Sequence, residues 1–124
     1  MAIKVLIVDD AAFLRMQLKG IFERCGAEVV GEAENGEECL QQYAILKPDL
    51  VTLDITMPDV DGITVLKQLK EEYPDAKVVM CSAMSHPDKF IASIQSGAFD
   101  FIVKPFNSDK IASILKTLEM EKKK

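Results

Sequence analysis

The stretch Ile3-Lys4-Val5-Leu6-Ile7-Val8-Asp9-Asp10 decides how the rest of the chain is read. Val5 to Val8 are consecutive apolar residues, mostly β-branched, and they end abruptly in two carboxylates. A strand with one wet face alternates apolar and polar residues, whereas a continuous run fits a strand covered on both faces. Short runs rich in Val and Ile recur at Glu28–Ala33, Leu50–Leu53, Lys77–Cys81 and Phe99–Val103, several of them continuous like this first strand, Ile3–Val8. Between them apolar residues return at helical spacing. Leu14, Leu18, Ile21, Phe22 and Cys25 form one stripe. Leu40, Tyr43 and Ala44 form a second, opened by the Asn35-Gly36 turn. Leu66, Leu69 and Tyr73 form a third, which stops before Pro74. Phe90, Ile91 and Ile94 form a fourth, starting near Pro87 and capped by Gly97. Ile111, Ile114, Leu115 and Leu118 form a fifth, with Asn107 or Ser108 as its N-cap.

Strands alternating with helices in this way imply parallel strands joined by right-handed crossovers, with helices on both faces of the sheet. The expected fold is therefore α/β, a three-layer sandwich of five parallel strands and five helices. A chain of 124 residues fits one domain, expected over residues 1–120, with a frayed basic tail at 121–124. The composition, 48% apolar and 28% charged with a net charge of −5, is that of a globular chain and argues against disorder. No apolar run approaches the length of a membrane span or a secretory leader. An acidic chain with two arginines, Arg15 and Arg24, is a poor nucleic-acid binder. Cys25, Cys39 and Cys81 are odd in number and lack metal spacing, so they read as mostly buried hydrophobes in a reducing compartment.

Ligands of open parallel sheets bind outside the carboxyl ends of the strands. Asp9 and Asp10 follow the first strand, Asp54 the third, Ser82 the fourth and Lys104 the fifth. Each alone is an ordinary turn or cap residue. Together they place three carboxylates, a hydroxyl and an ammonium at one rim. Like charges at ~4 Å repel by several kcal/mol at an intermediate dielectric, and Lys104 offsets only one of them. The remaining oxygens suit a hard divalent ion, with Mg²⁺ the natural choice. Neither a Gly-x-x-x-x-Gly-Lys-Ser/Thr loop nor a Gly-x-Gly-x-x-Gly turn is present to hold a nucleotide. Asp54 is instead placed to act as a nucleophile toward phosphorus, with the metal and Lys104 neutralising phosphoryl oxygens and Ser82 donating a hydrogen bond to the product. His86, the single histidine, reads as a solvated loop residue.

The run Val5–Asp10, the segment Asp49–Pro58 with Asp61-Gly62, the pair Ser82-Ala83 and the run Phe101–Phe106 together resemble the receiver domain of two-component response regulators, from Ile3 to about Leu118. The resemblance implies a flavodoxin-like strand order of 2-1-3-4-5. It implies Asp54 as the acceptor of a phosphoryl group from a kinase phosphohistidine. It implies Asp10 and Asp9 as Mg²⁺ carboxylates alongside Asp54, with the backbone carbonyl of Thr56 completing the protein ligands. Ser82 is then the switch hydroxyl, Lys104 the phosphate-pairing ammonium and Phe101 the switch aromatic. The Lys104-Pro105 bond is expected to be cis, and Gly62 to serve the turn beside the site. Phe101 lacks the hydroxyl of the tyrosine often found at its position. The resemblance implies that Thr56 and Met84 flank the path of a hydrolytic water, where they supply no carboxylate or amide.

Among such receivers the chain is most similar to single-domain chemotaxis regulators, so its output is expected through protein binding. The implied partners are a histidine kinase of the chemotaxis type, a flagellar motor switch protein and a phosphatase. The implied protein is a cytoplasmic monomer, a signalling switch without an external substrate and without nucleic-acid or membrane partners. A phosphorelay shuttle, or a receiver cut from a longer regulator, is the alternative. Two other classes fit less well. An FMN carrier wants a Ser-, Thr- and Gly-rich loop where Asp9-Asp10 would repel the flavin phosphate. A haloacid-dehalogenase-type phosphatase wants a second Asp where Thr56 stands.

Overall fold

The first apolar run is covered on both sides: Val5, Leu6 and Ile7 are fully buried and Val8 almost so. The structure, a computed structural model, describes residues 2–57, 61–82 and 87–122. His86, Met84, Ala83, Pro58, Lys123 and Lys124, which fall in the segments and tail named above, lie outside them. Elements alternate as β1 (Lys4–Val8), α1 (Ala12–Arg24), β2 (Glu28–Ala33), α2 (Gly36–Leu46), β3 (Leu50–Asp54), α3 (Gly62–Glu72), β4 (Val78–Ser82), α4 (Pro87–Gln95), β5 (Asp100–Val103) and α5 (Ser108–Lys122). All strand pairs are parallel, in the order β2-β1-β3-β4-β5.

Alternate residues of the central strands serve two separate cores, as the strand period requires. Leu6, Val8, Val51, Leu53, Val78 and Met80 pack with Cys39 of α2 and with Val65, Leu66 and Leu69 of α3. Val5, Ile7, Leu50, Val79, Cys81 and Ile102 pack on the other face with α1 and α5, through Leu18, Phe22, Ile111 and Ile114. Cys39 and Cys81 are buried, Cys25 is half-buried, and all three are free of disulfides.

The caps follow from short polar side chains at the helix starts. Asn35 Oδ1 accepts from the Glu38 N–H at 2.9 Å. Asp61 Oδ1 accepts from Ile63 and Thr64, at 2.7 and 3.3 Å. Asn107, rather than Ser108, caps α5, accepting from the Asp109 N–H at 2.8 Å. Gly97, at φ +99°, closes α4, with the Ala98 N–H returning to Ser93 O.

Three sequence expectations need correction. The stripe of Phe90, Ile91 and Ile94 does not face the core, since these side chains are 45%, 52% and 44% exposed. Helix α4 turns Ser93 inward and half-buries Ala92. The Ser93 hydroxyl is satisfied by donating to Lys89 O at 2.9 Å, so its burial is tolerated. In α2, Ala44 is exposed and Cys39 is the inward residue. Helix α5 runs to Lys122, so Glu121 and Lys122 are helical rather than part of a frayed tail.

Candidate functional site: an acidic pocket at the carboxyl ends of the strands

The strand order makes β1 and β3 neighbours, with Val8 opposite Leu53, so that the next residues along, Asp9 and Asp54, emerge side by side. Asp54 is the last residue of β3 and lies opposite Cys81 of β4, while Ser82 lies opposite Val103, one residue before Lys104. Asp9 and Asp54 are buried, at 1% and 5% exposure, and Asp10 is exposed. Each of the three offers a carboxylate oxygen within 4.8 Å of the others.

The surrounding groups hold this arrangement in place. Asp9 donates its N–H to Ala33 O at the end of β2, 3.1 Å away. Its Oδ1 accepts from the Ala11 N–H at 2.9 Å, and its carbonyl accepts from Arg15 Nη1 at 2.5 Å. Lys104 Nζ lies 3.4 Å from Asp9 Oδ2 and 3.5 Å from Asp54 Oδ1, with its side chain only 14% exposed. Its own N–H donates to Ser82 O at 2.7 Å. The Lys104-Pro105 peptide bond is cis. Thr56 is exposed, and its N–H donates to Asp54 Oδ1 at 3.3 Å. Gly62 is required by contact: a Cβ there would sit 2.2 Å from the Asp54 carbonyl oxygen and 2.8 Å from Ile55 Cα. Backbone cannot give way as a flexible side chain can. The close approach also lets the Gly62 N–H reach Ile55 O at 2.7 Å, which ties the start of α3 to the rim.

Burial, and then the neighbouring Asp9 carboxylate, push the Asp54 carboxyl above its ordinary value, against the opposing pull of Lys104 and the Thr56 N–H. Cys81, fully buried beside the pocket, has its thiol pushed up to about 12 by desolvation, so it is no nucleophile at neutral pH. With three carboxylates and one ammonium the pocket has an excess of negative charge on oxygen ligands. That donor set fits a hard divalent cation such as Mg²⁺.

Phe101 is 7% exposed, and its ring meets that of Phe90 on α4 edge-to-face at 5.4 Å and 78°. The structure therefore brings together Asp9, Asp10, Asp54, Lys104, Ser82, Thr56 and Gly62, with Phe101 on β5 behind them. Arg15 and its contact to the Asp9 carbonyl had no signal in the sequence. It stands one turn into α1, and nothing local says that β2 ends beside it.

This sheet order and this pocket define the class. The chain belongs to the response regulator receiver domain family, whose profile matches residues 5–116. Within it the chain is CheY-like. It is 54% identical over 119 residues to the chemotaxis protein CheY of Bacillus subtilis, covering 95% of this chain and 99% of that one. It is 51% identical over 112 residues to the chemotaxis protein CheY of Thermotoga maritima, covering 90% and 93%. A chain of the CheX-CheY-BeF3-Mg²⁺ crystal structure from Borrelia burgdorferi superposes with a TM-score of 0.87 at 38% identity, covering 94% of this chain and 89% of that one. Two-component signal transduction and chemotaxis are the setting these relatives define. No helix among the described residues is long and apolar enough to cross a membrane.

Proposed function

We propose that this chain is a phosphorylation-driven switch in chemotaxis, with Asp54 as its phospho-acceptor. The observation that carries the reading is the placement of Lys104 Nζ within 3.5 Å of carboxylate oxygens from both Asp9 and Asp54, beside the exposed Asp10. A merely structural ion pair needs one carboxylate. Two of them on one ammonium, with a third carboxylate oxygen within 4.8 Å of theirs, leave charge for a cation and for an incoming phosphoryl group.

Asp9, Asp10 and Asp54 would hold Mg²⁺, together with the Thr56 carbonyl. When bound, the ion supplies positive charge to phosphoryl oxygens. Ionised Asp54 attacks the phosphorus of a kinase phosphohistidine. The new O–P bond forms as the P–N bond breaks, and the imidazole nitrogen keeps the bonding pair and takes up a proton. Lys104 pairs with a phosphoryl oxygen, and Ser82 turns to donate its hydroxyl. Phosphorylation adds close to two negative charges and three acceptor oxygens. Moving a switch from 1:99 to 99:1 needs ~5.5 kcal/mol of differential interaction. Charged hydrogen bonds at ~1.5–3 kcal/mol each, from Lys104 and Ser82, are of that order. The turn of Ser82 opens space that Phe101 fills, which remodels the face made by α4, β5 and α5. That face carries exposed Phe90, Ile91, Ile94 and Val103, an apolar patch suited to a protein partner.

The partners we infer are a chemotaxis histidine kinase, a flagellar motor switch protein and a phosphatase. We read residues 1–120 as one receiver unit, acting as a monomer with no reaction beyond its own phosphorylation and dephosphorylation. Three cysteines without a disulfide suit a reducing cytoplasm. Intact mass after incubation with acetyl phosphate and Mg²⁺ tests the reading. The wild type gains one phosphoryl mass; Asp54→Asn, or wild type with EDTA, gains none. Phosphorylation of the Asp54→Asn variant would overturn the assignment. Pull-down of motor switch protein, with and without BeF3 and Mg²⁺, tests the output.

A further inference from the structure

We infer that Arg15 is the positioning residue of the cation site, acting through the peptide that joins Asp9 to Asp10; this rests on the reading of those carboxylates as the Mg²⁺ ligands. The Arg15 side chain is only 11% exposed, and its groups are spread over two strand ends. Nη1 donates to the Asp9 carbonyl at 2.5 Å. Nε donates to Glu32 Oε1 at 2.9 Å, and Nη2 lies 3.9 Å from Glu34 Oε1. The guanidinium thus anchors itself on β2 and grips the one carbonyl whose plane sets how both acidic side chains leave the chain.

Among the described residues, little else grips that peptide. The N-cap of α1 is Ala11, which offers no side-chain bond, and the first turn holds no acidic residue. Asp9 is tied down through its N–H and its carboxylate. Asp10 is exposed, so its direction depends on the backbone it hangs from. Repulsion among Asp9, Asp10 and Asp54 in the metal-free protein pushes this turn outward. Arg15 opposes that push through its hold on the Asp9 carbonyl. Its planar fork reaches the carbonyl through Nη1 and Glu32 through Nε, two donors held at a fixed angle that a single ammonium nitrogen does not reproduce.

The sign of one measurement separates this role from the others. A cation that acts only through its field repels Mg²⁺, so removing it would tighten binding. A cation that only supports the fold leaves the affinity of the folded protein unchanged. A positioning residue weakens binding when lost, and groups that orient metal ligands are typically worth 10–100-fold in affinity. Mg²⁺ titration calorimetry on wild type, Arg15→Gln, Arg15→Lys and Asp10→Asn, with circular dichroism melts in EDTA to verify folding, makes the comparison. The expected result is about tenfold weaker binding in Arg15→Gln and a smaller loss, about threefold, in Arg15→Lys, which keeps the charge without the fork. Phosphorylation by acetyl phosphate should need correspondingly more Mg²⁺ at half-maximum and return to the wild-type rate at saturation. If Arg15→Gln does not fold, Arg15→Lys decides alone. Unchanged or tighter binding in the folded Arg15 variants overturns the inference while leaving the site reading intact. A wild type that takes up no Mg²⁺ overturns both.

Discussion

Asp54 sits where chemistry and stability pull against each other. A carboxylate that is 5% exposed and within reach of Asp9 is strained electrostatically, and Lys104 is shared between the two. Replacing it by Asn removes the charge while keeping the shape. In metal-free protein Asp54→Asn is therefore expected to be more stable by ~1–2 kcal/mol at pH 7, a rise of several degrees in melting temperature. The pH dependence has a definite sign. The native Asp54 carboxyl titrates above the 3.8 of the unfolded chain, so between those values the native state holds the extra proton and wild-type stability falls as pH rises. Asn has no such loss. The advantage of the variant should thus shrink toward zero as pH is lowered to about 4, which urea denaturation in EDTA at several pH values would reveal. A destabilised Asn variant would contradict the crowding of charge argued for the pocket. At this scale the sequence was readable wherever a residue's place at a strand end implied its neighbours: Asp9, Asp54, Ser82 and Lys104 all followed from that rule. Arg15 was not readable, because its partners Asp9 and Glu32 are met only through the packing of α1 over the β1–β2 edge.

At the scale of elements, strands were the most legible where burial on both faces leaves an unbroken apolar run, as in β1 and β4. Helices were legible as helices but not always in their facing. The period of Phe90, Ile91 and Ile94 is the same whether that stripe meets the core or water. Only the small residues Ala92 and Ser93 on the opposite side mark the face that lies against the sheet. The consequence is measurable. Ile91→Ser changes an exposed side chain and should cost less than ~1 kcal/mol of folding stability. Leu66→Ala, on the fully buried face of α3, should cost ~2–5 kcal/mol. Ile91→Ser should nevertheless abolish or sharply weaken binding of the motor switch protein proposed as partner, while its phosphorylation stays at the wild-type level. Equal stability losses at the two positions would mean that α4 packs inward after all. Retained partner binding would mean that the apolar patch on α4 is not the output face.

For the molecule as a whole, strand order is the property least written into any local stretch. A strand's own residues do not name its neighbours, and 2-1-3-4-5 came from likeness to a family rather than from periodicity. Once that order is set, the sheet divides the protein unevenly. Its centre, β1 with β3 and β4, is buried on both sides, whereas α4 leaves three of its largest apolar side chains in water and rests on β5 partly through the Phe90–Phe101 contact. Opening free energies in a native protein are lowest where buried apolar contact is least, so the α4–β5 edge is the part that a signal at Asp54 can shift most cheaply. Hydrogen exchange read by mass spectrometry should then distinguish metal-free protein from protein with Mg²⁺ and BeF3. Amides of residues 88–95 and of Asp100–Val103 should change their exchange rates, while those of Lys4–Val8 and of residues 50–53 stay as slow as before. Arg15→Lys should need more Mg²⁺ to produce the same change and Asp54→Asn should produce none, since the shift is driven by differential interaction at the pocket and by nothing remote from it. Exchange that slowed uniformly over the whole sheet would describe simple stabilisation by a bound ion, and the two-state edge proposed for this protein would have to be abandoned.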